Sequence, residues 1–159
     1  MEPVTIRQAA PGESGYVSWL HMTLYEKQYG FRPVFEYYVM AGLTEFLHDG
    51  SGGKLWVAVC KDEIVGSIAM VNAGEDAAQL RWFLIKEGYQ GLGTGQKLMD
   101  TAMAFAKDEG YEHIVLWTAD MLHAAKHLYT KYGFTKTEEK ENTEWTGRLV
   151  MEERWDTDL

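Results

Sequence analysis

Gln90-Gly91-Leu92-Gly93-Thr94-Gly95 separates an alternating apolar segment that ends near Ile85 from a helical pattern that begins beyond Gly95. Glycines at such a junction let the backbone turn tightly and approach a ligand, while the N–H groups of a helix start face an anion. That chemistry suits a pyrophosphate. A Rossmann turn needs G-x-G-x-x-G, and Gln96 stands where its third glycine belongs. A Walker loop needs Gly-Lys-Ser/Thr, and Gly93 is followed by Thr94 and Gly95. What remains is Gln/Arg-x-x-Gly-x-Gly/Ala, filled by Gln90, Gly93 and Gly95, or else a plain glycine turn before a helix.

Upstream of the loop, Leu55–Cys60, Ile64–Val71 and Ala78–Ile85 read as three strands of a meander. In the third, Ala78, Leu80, Trp82 and Leu84 alternate with Gln79, Arg81, Phe83 and Ile85. Further back, Val4–Arg7 is a short opening strand. A helix from Pro11-Gly12-Glu13-Ser14 to about Tyr29 follows, with Val17, Leu20, Leu24 and Gln28 on one stripe, and Pro33 opens a second helix to about His48. Asp49-Gly50-Ser51-Gly52-Gly53 is the one glycine linker. Downstream, Leu98, Ala102, Phe105 and Ala106 share a helical face closed by Gly110, and Ile114–Trp117 is a continuous apolar strand. Asp120 is placed to cap a helix whose stripe is Ala125, Leu128, Tyr129 and Tyr132. Strands starting at Phe134 and spanning Arg148–Arg154 complete β-α-α-β-β-β-α-β-α-β-β. This order predicts an α/β fold: a single mixed, mostly antiparallel sheet with helices on both faces.

The 159 residues suit one domain, here 1–159, and 46% apolar residues supply its core. No run of about 18 apolar residues predicts a membrane span, and the first residues lack the pattern of a secretory signal. A lone Cys60 excludes an internal disulfide or cysteine-built zinc site, and its apolar strand predicts a core role. A reducing cytoplasm is the expected compartment. With 24 acidic and 15 basic residues the net charge is −9, which repels nucleic-acid backbones and either favours a cationic amine substrate or serves solubility alone. His123 and His127 are spaced i, i+4 without an evident third ligand, so no metal is expected.

The loop resembles the acetyl-CoA loop of GNAT acetyltransferases. Leu128-Tyr129-Thr130-Lys131-Tyr132-Gly133-Phe134 resembles the family's L-Y-x-K-x-G-F signature, at the family's separation from the loop. Leu116-Trp117-Thr118, Ala124–Tyr129, Leu24–Phe31, Phe35-Glu36 and the Trp155–Leu159 ending are similar to the acetyltransferase half of MarR–GNAT fusion proteins. No winged-helix segment precedes them in this sequence, which predicts a stand-alone catalytic domain with the acyl-CoA N-acyltransferase fold. Two positions depart from the pattern: Glu87 stands where many members carry Pro, and Leu122 where many carry a cofactor-touching Asn.

The resemblance implies attack by an amine of a small molecule or peptide on the acetyl thioester, with coenzyme A leaving as a thiolate. It implies backbone contacts from Phe83, Leu84 and Ile85 to the acetyl and pantetheine portions, with an N–H of the Phe83–Leu84 edge polarising the thioester. Gln90, Gly91, Leu92, Gly93, Thr94, Gly95 and Gln96 would hold the pyrophosphate. Tyr129 is the candidate general acid, or else a packed tyrosine anchoring its helix. Glu36 is a candidate base, directly or through water, or else a helix-surface glutamate. Tyr29, Arg81, Trp82 and Trp117 are candidates to line the acceptor pocket. A homodimer joined through the C-terminal strands fits the family. The alternative function is a silent acetyl-CoA sensor, which replacement of Tyr129 by Phe would separate from a catalyst.

Overall fold

A computed structural model describes residues 2–49 and 52–159; the linker residues Gly50 and Ser51 lie outside the described residues, as does Met1. The elements are β1 (Thr5–Gln8), α1 (Glu13–Tyr29), α2 (Pro33–Asp49), β2 (Lys54–Cys60), β3 (Glu63–Gly74), β4 (Ala77–Ile85), α3 (Thr94–Asp108), β5 (His113–Ala119), α4 (His123–Lys131), β6 (Thr135–Asn142) and β7 (Val150–Asp158). They follow the predicted order and form one seven-stranded sheet, β1-β2-β3-β4-β5-β7-β6. Neighbouring strands are antiparallel except for the parallel β4–β5 pair. The last strand runs further than the sequence suggests, reaching Asp158.

Helices cover both faces. On one, Leu98, Met99, Ala102 and Ala106 of α3 pack on Val65, Ile68, Met70, Leu80, Ile114 and Leu116, joined by Tyr129 of α4 and by Cys60. On the other, Val17 and Leu20 of α1 and Val39 and Leu43 of α2 pack on Leu55, Val57, Ala69, Trp82 and Leu84. Each fully buried Leu or Val contributes about 1.5–3 kcal/mol, so both layers hold the sheet firmly. The buried face of α1 differs from the predicted stripe: it comprises Val17, Ser18, Leu20, His21 and Met22. Packing against α2 as well as the sheet widens it.

Two features of β4 open the site. The predicted alternation breaks once: Ala78 and Leu80 face the α3 layer, whereas Trp82 and Leu84 face the α1–α2 layer. The cause is a bulge. Ala69 pairs with Arg81 but Ser67 pairs with Leu84, and Trp82 takes a positive φ of 48° that a bulky residue rarely adopts. The Ser67 hydroxyl donates to the Trp82 carbonyl at 2.6 Å and holds the kink. The second feature is that β4 and β5 pair only over Ala77–Gln79 and His113–Val115. Beyond Gln79 the strands diverge, leaving the β4 edge from Leu80 to Ile85 without a partner on that side, while β5 continues along β7 to Ala119.

The predicted Asp120 cap is not made. Helix α4 starts at His123 with Leu122 at its N-cap and no side-chain cap bond; Asp120 Oδ1 instead accepts from the Met151 N–H at 3.3 Å, tying the end of β5 to β7.

Candidate active site at the splayed strands

The wedge between β4 and β5 holds two chambers of about 330 and 350 Å³. Both are lined by Tyr25, Phe83, Leu122 and Ala125, so they meet there.

The first chamber is built largely from backbone. Phe83, Leu84 and Ile85 form one wall, Gln90, Gly91, Gly93, Gly95 and Gln96 the floor, and Leu128 and Lys131 of α4 the opposite side. Gln90 Nε2 donates to the Ile85 carbonyl at 3.1 Å and clips the loop to the strand end. Gly93 takes φ 82°, the left-handed conformation that glycine adopts without strain, and so aims the start of α3. The first bond of that helix runs from Lys97 N to the Gly93 carbonyl, so the N–H groups of Thr94, Gly95 and Gln96 have no intrahelical acceptor. Gly95 leaves room for its neighbours: a Cβ there would lie 3.1 Å from Leu128 Cδ2 and 3.4 Å from Phe83 Cζ. Thr94 is buried, and its Oγ1 has no hydrogen-bond partner among the described residues. An anion fits these free donors.

Side chains from four segments build the second chamber. Tyr25, Phe31, Phe35 and Tyr38 come from α1, α2 and their junction, Arg81, Trp82 and Phe83 from β4, Trp117 and Thr118 from β5, and Lys140, Trp145 and Glu152 from β6, its following loop and β7. Phe31 lies 4.7 Å from Phe35, and Trp145 lies 5.6 and 5.3 Å from the two rings. The Trp145 carbonyl accepts from Arg32 N at 2.7 Å, which pins the β6–β7 loop to the start of α2.

Tyr129 is buried beside the meeting point, its ring 5.9 Å from Phe83 and 6.0 Å from Phe134. It lines the second chamber. Burial, reinforced by neighbouring Tyr25, pushes its hydroxyl well above the ordinary phenol range, so it carries its proton at neutral pH. Burial, then Tyr29, raises Tyr25 likewise. His21 also lines this chamber; its Nδ1 bonds to the Val17 carbonyl at 2.8 Å, which makes Nδ1 the donor and leaves Nε2 unprotonated. Burial lowers its pKa to about 4 against the opposing Val17 bond, so the ring is neutral.

The candidates from sequence are therefore distributed unevenly. Phe83, Leu84, Ile85, Gln90, Gly91, Gly93, Gly95 and Gln96 line the first chamber; Thr94 is enclosed at the helix start, and Leu92 is exposed and lines neither. Arg81, Trp82 and Trp117 line the second chamber, whereas Tyr29 lines the first. Trp82 is at the same time a core residue. Glu36 sits half-buried in the first turn of α2 and lines neither chamber. His21, Tyr25, Phe31, Phe35, Lys140 and Trp145 were not among the candidates. The aromatic run from Tyr25 to Phe35 was a usable signal; nothing local marks Trp145 or Lys140. The acidic net charge suggested a cationic partner, but the charged groups lining this chamber are Arg81, Lys140 and Glu152.

The chain matches the model of the acetyltransferase (GNAT) family over residues 16–134 and belongs to that family. It is 31% identical to N-acetyltransferase 8B of Rattus norvegicus over 103 residues, 62% of this chain and 46% of that one. It is 29% identical to N-acetylaspartate synthetase of Danio rerio over 104 residues, 65% of this chain and 37% of the relative. It thus spans less than half the length of these two proteins. Its fold is shared with a GNAT acetyltransferase of Staphylococcus aureus Mu50, at a TM-score of 0.80, 18% identity and 99% coverage of both chains. A Salmonella typhimurium protein solved with its cofactor acetyl-CoA gives a TM-score of 0.76 at 17% identity, covering 98% of this chain and 94% of that one.

Proposed function

We propose that this protein is an acyltransferase that moves an acetyl group from acetyl-CoA to a primary amine of a small molecule or peptide, by direct attack and without an acyl-enzyme. The observation that carries this is the meeting of an anion-receptive chamber with an aromatic chamber beside the buried, protonated Tyr129 hydroxyl. The relatives named N-acetyltransferase 8B and N-acetylaspartate synthetase support amine acetylation.

Acetyl-CoA supplies an activated thioester and an anionic handle. The free N–H groups of Thr94, Gly95 and Gln96 and the positive end of α3 receive the pyrophosphate. The unpaired edge of β4 at Phe83–Ile85 offers backbone donors and acceptors to the pantetheine arm and the acetyl oxygen. An alkylamine has a pKa of about 10 and must lose a proton before its nitrogen attacks. As the N–C bond forms and the C–S bond breaks, Tyr129 gives its proton to the sulfur and later recovers one from solvent. Leu122 contributes an apolar contact at the junction of the chambers. Cys60 takes no part: it is buried in the core.

Calorimetric titration with acetyl-CoA, with free coenzyme A and ATP as controls, tests the first half. Micromolar acetyl-CoA binding without ATP binding is the expected result, and no binding at millimolar concentration overturns it. Thiol release with a panel of amines tests the second half; binding without any release identifies a sensor instead.

A further inference from the structure

Arg81 lines both the acceptor chamber and a cavity of about 260 Å³ on its α2 side, where Glu45 and Asp49 also lie. The Arg81 guanidinium stacks 4.5 Å over the Trp82 ring and packs so closely on α2 that a Cβ at Gly42 would lie 2.6 Å from its Nη2. No hydrogen bond or ion pair reaches it from the described residues. Burial lowers its pKa, and Glu45 opposes that only from beyond ion-pair distance. An enclosed charge without a partner is costly, and the guanidinium fork matches a carboxylate.

The surroundings point the same way. Lys140 Nζ lies 4.7 Å over the Trp117 ring, while the one carboxylate lining the chamber, Glu152, already accepts from Asn142 Nδ2 at 2.9 Å. His21 is neutral. With Glu152 opposite Lys140 in the β6–β7 ladder, the lining carries one excess positive charge, at Arg81, in a chain of net charge −9. The protein's own cations cover the Trp82 and Trp117 rings. Arg81 stands two residues before Phe83 on β4, across the bulge at Trp82, and both residues line the chamber. A ligand anchored at Arg81 can thus present a second group to the junction, with Phe31, Phe35 and Trp145 receiving an apolar body.

We propose that the acceptor is an amino acid with an aromatic or large apolar side chain, its carboxylate paired with Arg81 and its amine directed toward Phe83 and Tyr129. The proposal deepens, and rests on, the acetyl-transfer reading above.

The test compares L-phenylalanine, L-phenylalaninamide and 2-phenylethylamine as acceptors for the full chain, with thiol release as readout. A second arm measures binding of 3-phenylpropionate, which has the carboxylate and ring but no amine, to the protein saturated with coenzyme A. We expect kcat/KM for phenylalanine to exceed the other two by at least about tenfold. In Arg81→Met that ratio should fall toward one through KM, with part recovered in Arg81→Lys, and 3-phenylpropionate should bind the parent but not Arg81→Met. Equal use of the amide or amine, or an unchanged phenylalanine KM in Arg81→Met, overturns the proposal while leaving acetyl transfer standing. Should no amine release thiol, the 3-phenylpropionate arm decides: binding lost in Arg81→Met supports the subsite, and no binding by the parent overturns it. The acetyl-CoA titration reports separately on the transferase reading.

Discussion

The two chambers that meet at Phe83 are built by opposite means. The first centres on Gln90, Gly91, Gly93, Gly95 and Gln96 of one short loop and on a strand edge, and its working groups are backbone N–H donors. The second is made of side chains that α1, α2, β4, β5, β6, β7 and their loops bring together from Tyr25 to Glu152. A backbone-built site tolerates many side chains and depends on conformation. A side-chain-built site depends on each ring and charge, and on the packing that holds them. The two halves should therefore fail independently when mutated, except at the residue they share a purpose with, Tyr129.

The largest effect is expected there. Tyr129→Phe keeps the ring contacts to Phe83 and Phe134 and removes only the hydroxyl. Thiol release should fall about 100-fold or more, within the range for loss of a general acid, while the acetyl-CoA Kd stays within about twofold. A turnover unchanged within error assigns Tyr129 to packing alone.

Gly93→Val asks whether conformation alone governs the first chamber. No atom lies within 4 Å of the position a Cβ would occupy, so any effect comes from forcing a β-branched residue to φ 82°. That strain costs about 1–2 kcal/mol, and reorientation of the helix start should weaken acetyl-CoA binding about tenfold. The amine KM measured at saturating acetyl-CoA should not move. Trp145→Ala is the converse. It removes two aromatic contacts, each worth about 0.5–1.5 kcal/mol, and should raise the amine KM by roughly 3–10-fold without changing the acetyl-CoA Kd. If either variant shifts both constants, the chambers are coupled through Phe83 or Tyr25.

The same contrast explains what could be read in advance. Gln90, Gly93 and Gly95 speak through local spacing, and the order of strands and helices follows from periodicity, so the first chamber and the layered sheet were legible. The β4 bulge was not: Ala78 to Leu84 alternates without interruption in sequence, and only pairing with β3 shows that Trp82 and Leu84 have changed faces. Nothing in the sequence separates His21 from the other polar residues of α1, because its burial comes from tertiary packing. Trp145 enters the site because Arg32 N holds its carbonyl 113 positions away in the chain. Such contacts leave no periodic trace.

The smallest predicted effect lies at the closed end of the wedge, which serves both chambers. His113 faces Ala77 where β4 and β5 still pair, and its two ring nitrogens bond to Asp158 at 2.7 Å and Asp156 at 2.6 Å. The bonds to Asp158 and then Asp156 raise its pKa above the ordinary histidine value of 6.5, against an opposing effect of burial. A folded-state pKa above the unfolded one gives stability that is complete below about 6.5 and is lost as pH rises through the raised value. The ring is 36% exposed and Asp158 89%, so solvent and salt screen the pair and the change in Tm should be only a few degrees. Melting scans from pH 6 to 9 should show Tm falling across this window in the parent and a flatter profile in His113→Gln, with the difference shrinking at high salt. Because the pair braces β5 against β7 rather than lining either chamber, any loss of acetyl-CoA affinity above this window should be matched by an equal loss for the amine. A one-sided loss would show that β5 is not a common hinge, and that the two halves of the site are held by separate supports.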